Sequence, residues 1–359
     1  MLFRSFFGND VVAHGCNNNY TVGSAAAAGF QPLANAFGQG YQVTQEGIVV
    51  QRGKDRDARD SGQWGAALRW LGDDTEYAVY FMNYHSRTPT VGTTSAGQST
   101  LTALGGMLPL VPGALRPSLA SSVMLGRGQY YLEYPEDIRL YGASFSTTLP
   151  TGTAWSGEIS YRPNAPVQLN TTDLTLALVN PAAPGTSVIS SSAGADNTGY
   201  RRKQVTQAQT TLTQFFDQVM GADRLTLVGE AGVTYVAGLE AKSKLRYGRD
   251  SVYGVYGYQG DHDGFVTATS WGYRARAILD YSNVFAGVNL KPNLSWSHDV
   301  KGYGPNGLFN EGAKAVSIGV DADYRNTYTA SLSYTDFFGG HYNTLTDRDF
   351  LALSVGANF

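Results

Sequence analysis

Apolar and polar residues alternate strictly along much of the chain, and the pattern is clearest near its C-terminal end. Leu351, Leu353 and Val355 fall on one side of an extended backbone, whereas Ser354 and Gly356 fall on the other. A period of two residues is typical of a β-strand whose two faces meet different surroundings. The run is about ten residues long, which is the length of a tilted strand that crosses a lipid bilayer.

The same alternation recurs upstream and predicts eleven β-strands in all. The predicted strands span residues 63–70, 75–84, 137–149, 154–162, 204–219, 224–236, 265–281, 284–298, 315–324, 327–336 and 349–359. The connections between them alternate in length. Those at 72–74, 150–152, 220–223, 282–283 and 325–326 are short, and those at 85–135, 163–203, 237–264, 299–314 and 337–347 are long. Short turns at one rim and long loops at the other are typical of outer-membrane barrels.

These patterns predict an all-β fold, an antiparallel transmembrane β-barrel of the outer-membrane type with about 11–12 strands in this chain. Residues 62–359 are expected to form the barrel, with long extracellular loops at 85–135, 163–203 and 237–264. Residues 1–61 are predicted to be a loop-rich segment with one short strand at 47–51. Bacterial single-chain barrels have even strand numbers, and residues 1–10 do not resemble a signal peptide. We therefore expect an N-terminally truncated piece of a larger barrel.

Composition narrows the class of protein further. Charged residues make up 15% of the chain and aromatic residues 12%, and no apolar run is long enough for a transmembrane helix. The net charge of −3 gives no electrostatic basis for binding nucleic acid. Cys16 is the single cysteine, which excludes an internal disulfide and a cysteine-built metal site.

Aromatic residues lie near the ends of the predicted apolar faces, where a membrane barrel carries one aromatic girdle at each interface. The girdles are predicted to contain Trp155, Tyr161, Trp271, Tyr281, Trp296, Tyr324 and Tyr328. The chain ends on Phe359. A terminal phenylalanine after an alternating strand resembles the signal read by the barrel-assembly machinery, which is therefore an expected partner.

Several motifs resemble one proteobacterial family. They are DSGQWG at 60–65, YFMNYHSR at 80–87, YPEDIRLYGASF at 134–145, GEISYRPN at 157–164 and PVQ at 166–168. Together they resemble the family catalogued as domain of unknown function 1302, over the C-terminal part of a member. The resemblance implies an outer-membrane barrel and assigns no catalytic residue. Members tend to be found beside genes for handling hydrophobic carbon compounds and for envelope transport, which implies a transport role by association.

The polar faces of the predicted strands carry charges of both signs, which a barrel would direct into its water-filled lumen. The predicted lumen-facing residues are Arg69, Glu158, Arg162, Arg224, Glu230, Arg274, Arg276, Asp280, Lys291, Asp321 and Asp323. Arg274 and Arg276 are two residues apart on one strand and are a candidate anion site. The alternative is that these charges only hydrate the interior and fix its shape through ion pairs.

Two long connections contain more apolar residues than a surface loop requires. Residues 170–179 have the pattern of a short amphipathic helix, with Asn170 as its N-cap. The candidates for a lumen plug or an apolar binding surface are Leu104, Met107, Leu108, Leu174, Leu176 and Leu178. The alternative is a packed extracellular lid with a structural role only.

Catalytic and metal-binding motifs are weak in this sequence. The five histidines have no ligand spacing, and the nearest cluster, Asp261-His262-Asp263, reads best as a solvated turn. Ser297 and His298 are neighbours on opposite faces of one strand, so they cannot form a catalytic pair. We therefore expect neither an enzyme nor a bound metal or cofactor.

The sequence thus predicts a protein in the outer membrane of a Gram-negative bacterium, in contact with outer-membrane lipid. Its expected role is a channel or a binding-and-transfer protein for small hydrophobic or amphipathic compounds. Three alternatives stay open: a general polar-solute porin, a non-transporting surface scaffold or adhesin, and an outer-membrane lipid hydrolase.

Overall fold

A computed structural model describes residues 20–253 and 263–358. The strands are β1 (Tyr20–Val22), β2 (Val43–Thr44), β3 (Gly47–Arg52), β4 (Trp64–Leu71), β5 (Thr75–Tyr84), β6 (Thr90–Thr94), β7 (Gln129–Glu133), β8 (Ile138–Thr148), β9 (Ala154–Gln168), β10 (Asp196–Asn197), β11 (Tyr200–Asp217), β12 (Arg224–Ala237), β13 (Thr269–Phe285), β14 (Val288–Lys301), β15 (Lys314–Tyr324), β16 (Tyr328–Phe338) and β17 (Phe350–Ala357). The α-helices are α1 (Gln31–Ala36), α2 (Gln98–Met107), α3 (Arg116–Arg127) and α4 (Thr171–Ala177). No helix in these two ranges is long and apolar enough to span a membrane.

The larger sheet contains the eleven predicted strands. Its order is β17-β16-β15-β14-β13-β12-β11-β9-β8-β5-β4, and every neighbouring pair is antiparallel. The prediction of a mostly β, antiparallel fold is confirmed. The strand order is an open path that ends at β4 and β17, and no pairing within the described residues joins these two strands.

One predicted turn is wrong. The chain reverses between β13 and β14 at residues 286–287, four residues later than the predicted turn at 282–283. Asn283 has a positive φ of 50°, and its Oδ1 accepts a hydrogen bond of 2.9 Å from the Gly287 N–H. The pairing of β13 with β14 shifts register between Tyr281 and Phe285. The polar Ser282-Asn283 pair therefore marks an irregularity within the strand, and the turn itself uses Ala286 and Gly287.

The smaller sheet combines the N-terminal segment with strands from two long connections. Its order is β1-β3-β7-β6-β10, with β2 also paired to β3. The loop prediction for 1–61 is thus wrong within residues 20–52, although β3 lies where the short strand was predicted. The connection at 85–135 contains β6, α2, α3 and β7 rather than a loop. These strands were missed because each is short and pairs with residues far away in the sequence.

The two sheets are joined through Gln168, the last residue of β9. Its Oε1 accepts a 2.8 Å hydrogen bond from the Val91 N–H, and its Nε2 donates to the carbonyls of Val91 at 3.1 Å and Gly199 at 2.7 Å. A Cβ atom at Gly199 would lie 1.7 Å from the Val91 carbonyl oxygen, so only glycine fits at this close approach.

Candidate functional site

One face of the larger sheet is apolar and open to its surroundings. Ile318 is 63% exposed, Leu332 is 44% exposed and Leu353 is 73% exposed, and the strand register places all three on this face. A protein in water rarely leaves a contiguous apolar patch larger than a few hundred Å² uncovered. This face therefore requires an apolar covering.

Aromatic side chains line the apolar face beside the long connections. Trp64, Phe81, Tyr141 and Tyr161 contact one another across four neighbouring strands. The ring centroids are 4.8 Å apart for Trp64 and Phe81, 4.8 Å for Phe81 and Tyr141, and 6.4 Å for Tyr141 and Tyr161. The register also places the predicted girdle residues Trp271 and Trp296 on this face, toward the same rim. These residues form what we call the long-connection row.

A second aromatic row lies on the same face beside the short turns. The ring centroids are 5.6 Å apart for Trp70 and Tyr77, 4.8 Å for Phe145 and Trp155, and 6.4 Å for Tyr324 and Tyr328. Tyr281 also lies toward this rim, where its hydroxyl donates to the Met220 carbonyl at 3.1 Å. The girdle prediction omitted Trp64, Trp70, Tyr77, Phe81 and Tyr141. The sequence could have identified them, because they lie near the ends of predicted strands and alternate in step with the apolar residues.

The opposite face of the sheet is polar. The strand register puts all eleven charged residues that were predicted to face a lumen on this one face. Lys291 Nζ lies 3.1 Å from Asp280 Oδ1, and Arg224 Nε lies 3.0 Å from Asp217 Oδ1. Asn293 Nδ2 donates to Asp321 at 3.1 Å. Cross-strand polar contacts of this kind are what the shape-fixing alternative requires.

Helix α4 covers the polar face where the strands meet the long connections. Leu174 and Ala177 are fully buried in a cluster with Val167, Val205 and Val236. The register places Val205 and Val236 on the polar face, so the connection packs on that side of the sheet. The predicted amphipathic helix is therefore present. It buries its apolar side against the polar face of the sheet.

The other plug candidates have mixed environments. Leu104 and Met107 in α2 are buried with Leu178 in the core of the smaller sheet and its helices. Leu108 is only partly buried against that core, and Leu176 is partly exposed in α4.

Asn170 caps α4 as predicted. Its Oδ1 accepts a 3.0 Å hydrogen bond from the Asp173 N–H, and its Nδ2 donates to the Gly248 carbonyl at 2.9 Å.

We expect Asn170→Ala to destabilise this connection by about 1 kcal/mol, the usual cost of losing an N-cap. Amide hydrogen exchange in 171–178 is the measurement. Unchanged protection in the variant would contradict the capping role.

Two cavities lie on the polar face, separated by the connection between β14 and β15. The smaller has a volume of about 140 Å³, and its lining includes Glu158, Glu230, Arg274 and Phe309. A Cβ atom at Gly232 would lie 3.6 Å from Phe309 Cζ, which shows that Phe309 rests on the sheet. We call this the Arg274 cavity. It holds two carboxylates around one predicted anion-site arginine.

The larger cavity has a volume of about 580 Å³ and lies over β5, β8, β9 and β11. Its lining includes Arg87, Ile138, Arg162, Val205 and Leu308. Arg162 Nε is buried and has no hydrogen-bond partner in the part of the chain that the structure describes. We call this the Arg162 cavity. The sequence singled out Arg162 as a lumen-facing charge but gave no sign of the cavity around it.

Burial and hydrogen bonds shift the pKa values of two carboxyl groups in the connection between β12 and β13. Burial alone would raise the pKa of Glu240, but hydrogen bonds from Lys203 and Tyr247 lower it. Burial raises the pKa of the Asp250 carboxyl, and the Val252 N–H opposes that rise. These groups organise the connections and do not line either cavity.

Within residues 20–253 and 263–358, no three His, Cys, Asp or Glu side chains lie together as a metal site would need. Asp261 and His262 of the weak cluster lie outside the described residues, as does Phe359. Asp263 forms an ion pair with Lys242 at 2.7 Å.

The sequence comparison agrees with the motif resemblance. The model of the family described as "Protein of unknown function (DUF1302)" matches residues 5–359. The chain belongs to the DUF1302 family. The match also includes residues 5–59, which carried none of the motifs quoted for the resemblance. No curated protein matches this DUF1302 chain.

Proposed function

We propose that this DUF1302 protein is an outer-membrane β-barrel whose wall includes the eleven-stranded sheet. The observation that carries the proposal is the exposed apolar face with an aromatic row at each rim, opposite a face that carries charges of both signs. Lipid is the covering that suits such a face, since the apolar band of a barrel lies between two aromatic girdles.

Closure of the wall is part of this proposal. Unpaired backbone groups in the hydrocarbon region cost several kcal/mol each, so the free edges of β4 and β17 need partners in a membrane. The antiparallel pairing of every neighbour in the sheet and the alternation of short and long connections support a closed wall.

We further propose that the barrel is a channel or binding-and-transfer protein for small hydrophobic or amphipathic compounds. On the polar face, α4 and the connection with Leu308 and Phe309 lie over the strands and leave defined cavities. If the polar face lines the lumen, these segments narrow it. A narrow lumen with defined cavities favours the binding and selective passage of a compound over free diffusion. The charges around the Arg274 cavity favour the second candidate, a polar-solute porin.

Flux and conductance measurements on the purified chain in lipid vesicles and planar bilayers separate these two functions. The transfer function predicts accelerated flux of a ten-carbon amphiphile with little ion conductance. A large, ion-selective conductance that does not change in a Leu174→Ala, Leu176→Ala variant would favour the porin. Absence of both flux and conductance would overturn both, and lost surface attachment in a deletion strain would then favour a scaffold.

A further inference from the structure

The Arg162 cavity has the composition of a binding site for a negatively charged group. Arg162 and Arg87 are among its lining residues, and none of the described residues that line it is acidic. The Arg274 cavity differs, because Glu158 and Glu230 lie beside its arginine. Of these two cavities, the Arg162 cavity therefore offers an anion positive charge without a carboxylate in its described lining.

The Arg162 side chain has a hydrogen-bond donor that a ligand could use. Its Nε atom is buried without a hydrogen-bond partner in the described residues, although an unsatisfied donor of this kind costs free energy. A guanidinium presents a planar fork of N–H groups that matches the two oxygens of a carboxylate or phosphate. A bound oxyanion would satisfy this donor, which no group in residues 20–253 and 263–358 does.

Two other polar side chains at the cavity, His85 and Asn306, are occupied by structural hydrogen bonds. His85 Nδ1 accepts from the Asp137 N–H at 3.1 Å, and His85 Nε2 lies 2.8 Å from the Ser61 carbonyl oxygen. Asn306 accepts from the Gln168 N–H at 3.1 Å and donates to the Pro166 carbonyl at 3.1 Å. These contacts fix the walls and leave recognition of an anion to the arginines.

The cavity also has an apolar side. Leu308 lines it and is 42% exposed, although it lies over the polar face of the sheet. Ile138, Val205 and Pro166 contribute further apolar lining. A volume of about 580 Å³ is within the range of small-molecule sites. An exposed leucine beside an unpaired guanidinium suits a ligand with a charged head and an apolar tail.

We propose that the Arg162 cavity binds an amphipathic oxyanion, whose head is held by the Arg162 guanidinium and whose tail covers Leu308. This site names the ligand class of the proposed transfer function and in that sense rests on it. The head chemistry is shared by a free fatty acid and by a phosphate ester, and the probes below distinguish them.

Calorimetric titration of the full chain in nanodiscs of uncharged lipid tests the site with decanoate, decyl phosphate, decanol and inorganic phosphate. We expect Arg162→Gln to weaken the binding of the preferred acid by about tenfold to a hundredfold, the usual effect of losing a charged hydrogen bond. Arg162→Lys should give intermediate affinity because it keeps the charge without the fork. The matched control, Arg69→Gln, removes a charge on the same face that lines neither cavity, and it should change affinity less than twofold.

The comparison of probes tests the two halves of the proposed ligand. Decanol and inorganic phosphate should each bind more weakly than the acid with both head and tail. Leu308→Gln should weaken the tailed probes and leave the binding of inorganic phosphate unchanged. Equal binding to wild type and Arg162→Gln, in samples with the same circular dichroism spectrum, would overturn the site. Binding that depends on Arg162 without any flux in vesicles would leave the site standing and overturn the transfer function.

Discussion

Replacing Leu332 with arginine is expected to prevent stable insertion of the barrel. Leu332 lies in the middle of β16, on the exposed apolar face, where the proposal places lipid. An arginine on the lipid face near the bilayer midplane costs about 2–4 kcal/mol. The expected result is loss of most folded protein from the outer-membrane fraction, measured by heat-dependent gel mobility, and a lower urea midpoint in lipid vesicles.

Ser331→Arg is the matched control for this experiment. Ser331 is the neighbouring residue on the same strand, but the register places it on the polar face opposite Asp321 and Ser354. A long cationic side chain there meets a carboxylate and water rather than lipid, so we expect assembly close to that of the wild type. Equal loss in the two variants would contradict the assignment of the faces, and with it the membrane location.

The strands and their two faces were predictable because each depends only on local alternation. A strand with one apolar and one polar surrounding has apolar residues at every second position. Leu351, Leu353 and Val355 show this alternation in β17. The same phase argument puts Arg69 and Asp323 on one face, although β4 is one end of the sheet path and β15 is the third strand from the other end. Pairing order followed because strands that are consecutive in the sequence usually pair, and here they do so across both short turns and long connections.

The pairing of the smaller sheet was not predictable from periodicity, although a short strand was predicted where β3 lies. Strand β3 pairs in parallel with β7, and the paired residues Gln51 and Gln129 are far apart in the sequence. Residues Gly47–Val50 are all buried, so no alternation marks the strand's faces. Burial on both sides removes the signal that identified the strands of the larger sheet.

The Arg162 cavity could not be predicted from the sequence, because it depends on contacts between residues that are far apart in the chain. The sequence favoured Arg274 and Arg276 as an anion site because they are two residues apart on one strand. The structure places Glu158 and Glu230 beside Arg274, and it places a connection from residues 305–308 beside Arg162. Asn306 adopts a positive φ of 53° in that connection, and its long-range contacts to β9 cannot be read from local pattern.

The buried ion pair between Arg246 and Asp173 gives the second large expected effect. The side chains are 5% and 1% exposed, and Arg246 Nε donates to Asp173 Oδ2 at 2.7 Å while Nη2 contacts Oδ1. Removing one partner leaves an uncompensated charge in the interior, which costs about 3–5 kcal/mol. We therefore expect Arg246→Met to unfold the α4 connection at temperatures where the wild type keeps it folded, as measured by limited proteolysis.

The double variant Asp173→Asn, Arg246→Met separates the cost of an unpaired charge from the loss of the contact itself. It removes both charges, so it should recover much of the protease resistance that Arg246→Met loses. The pair joins α4 to the connection between β12 and β13, and both pack on the polar face of the strands. Heat-dependent gel mobility of the barrel should therefore survive in all three proteins while the connection alone becomes cleavable. Recovery no better than that of the single variant would show that the geometry of the contact, rather than charge neutralisation, holds this covering in place.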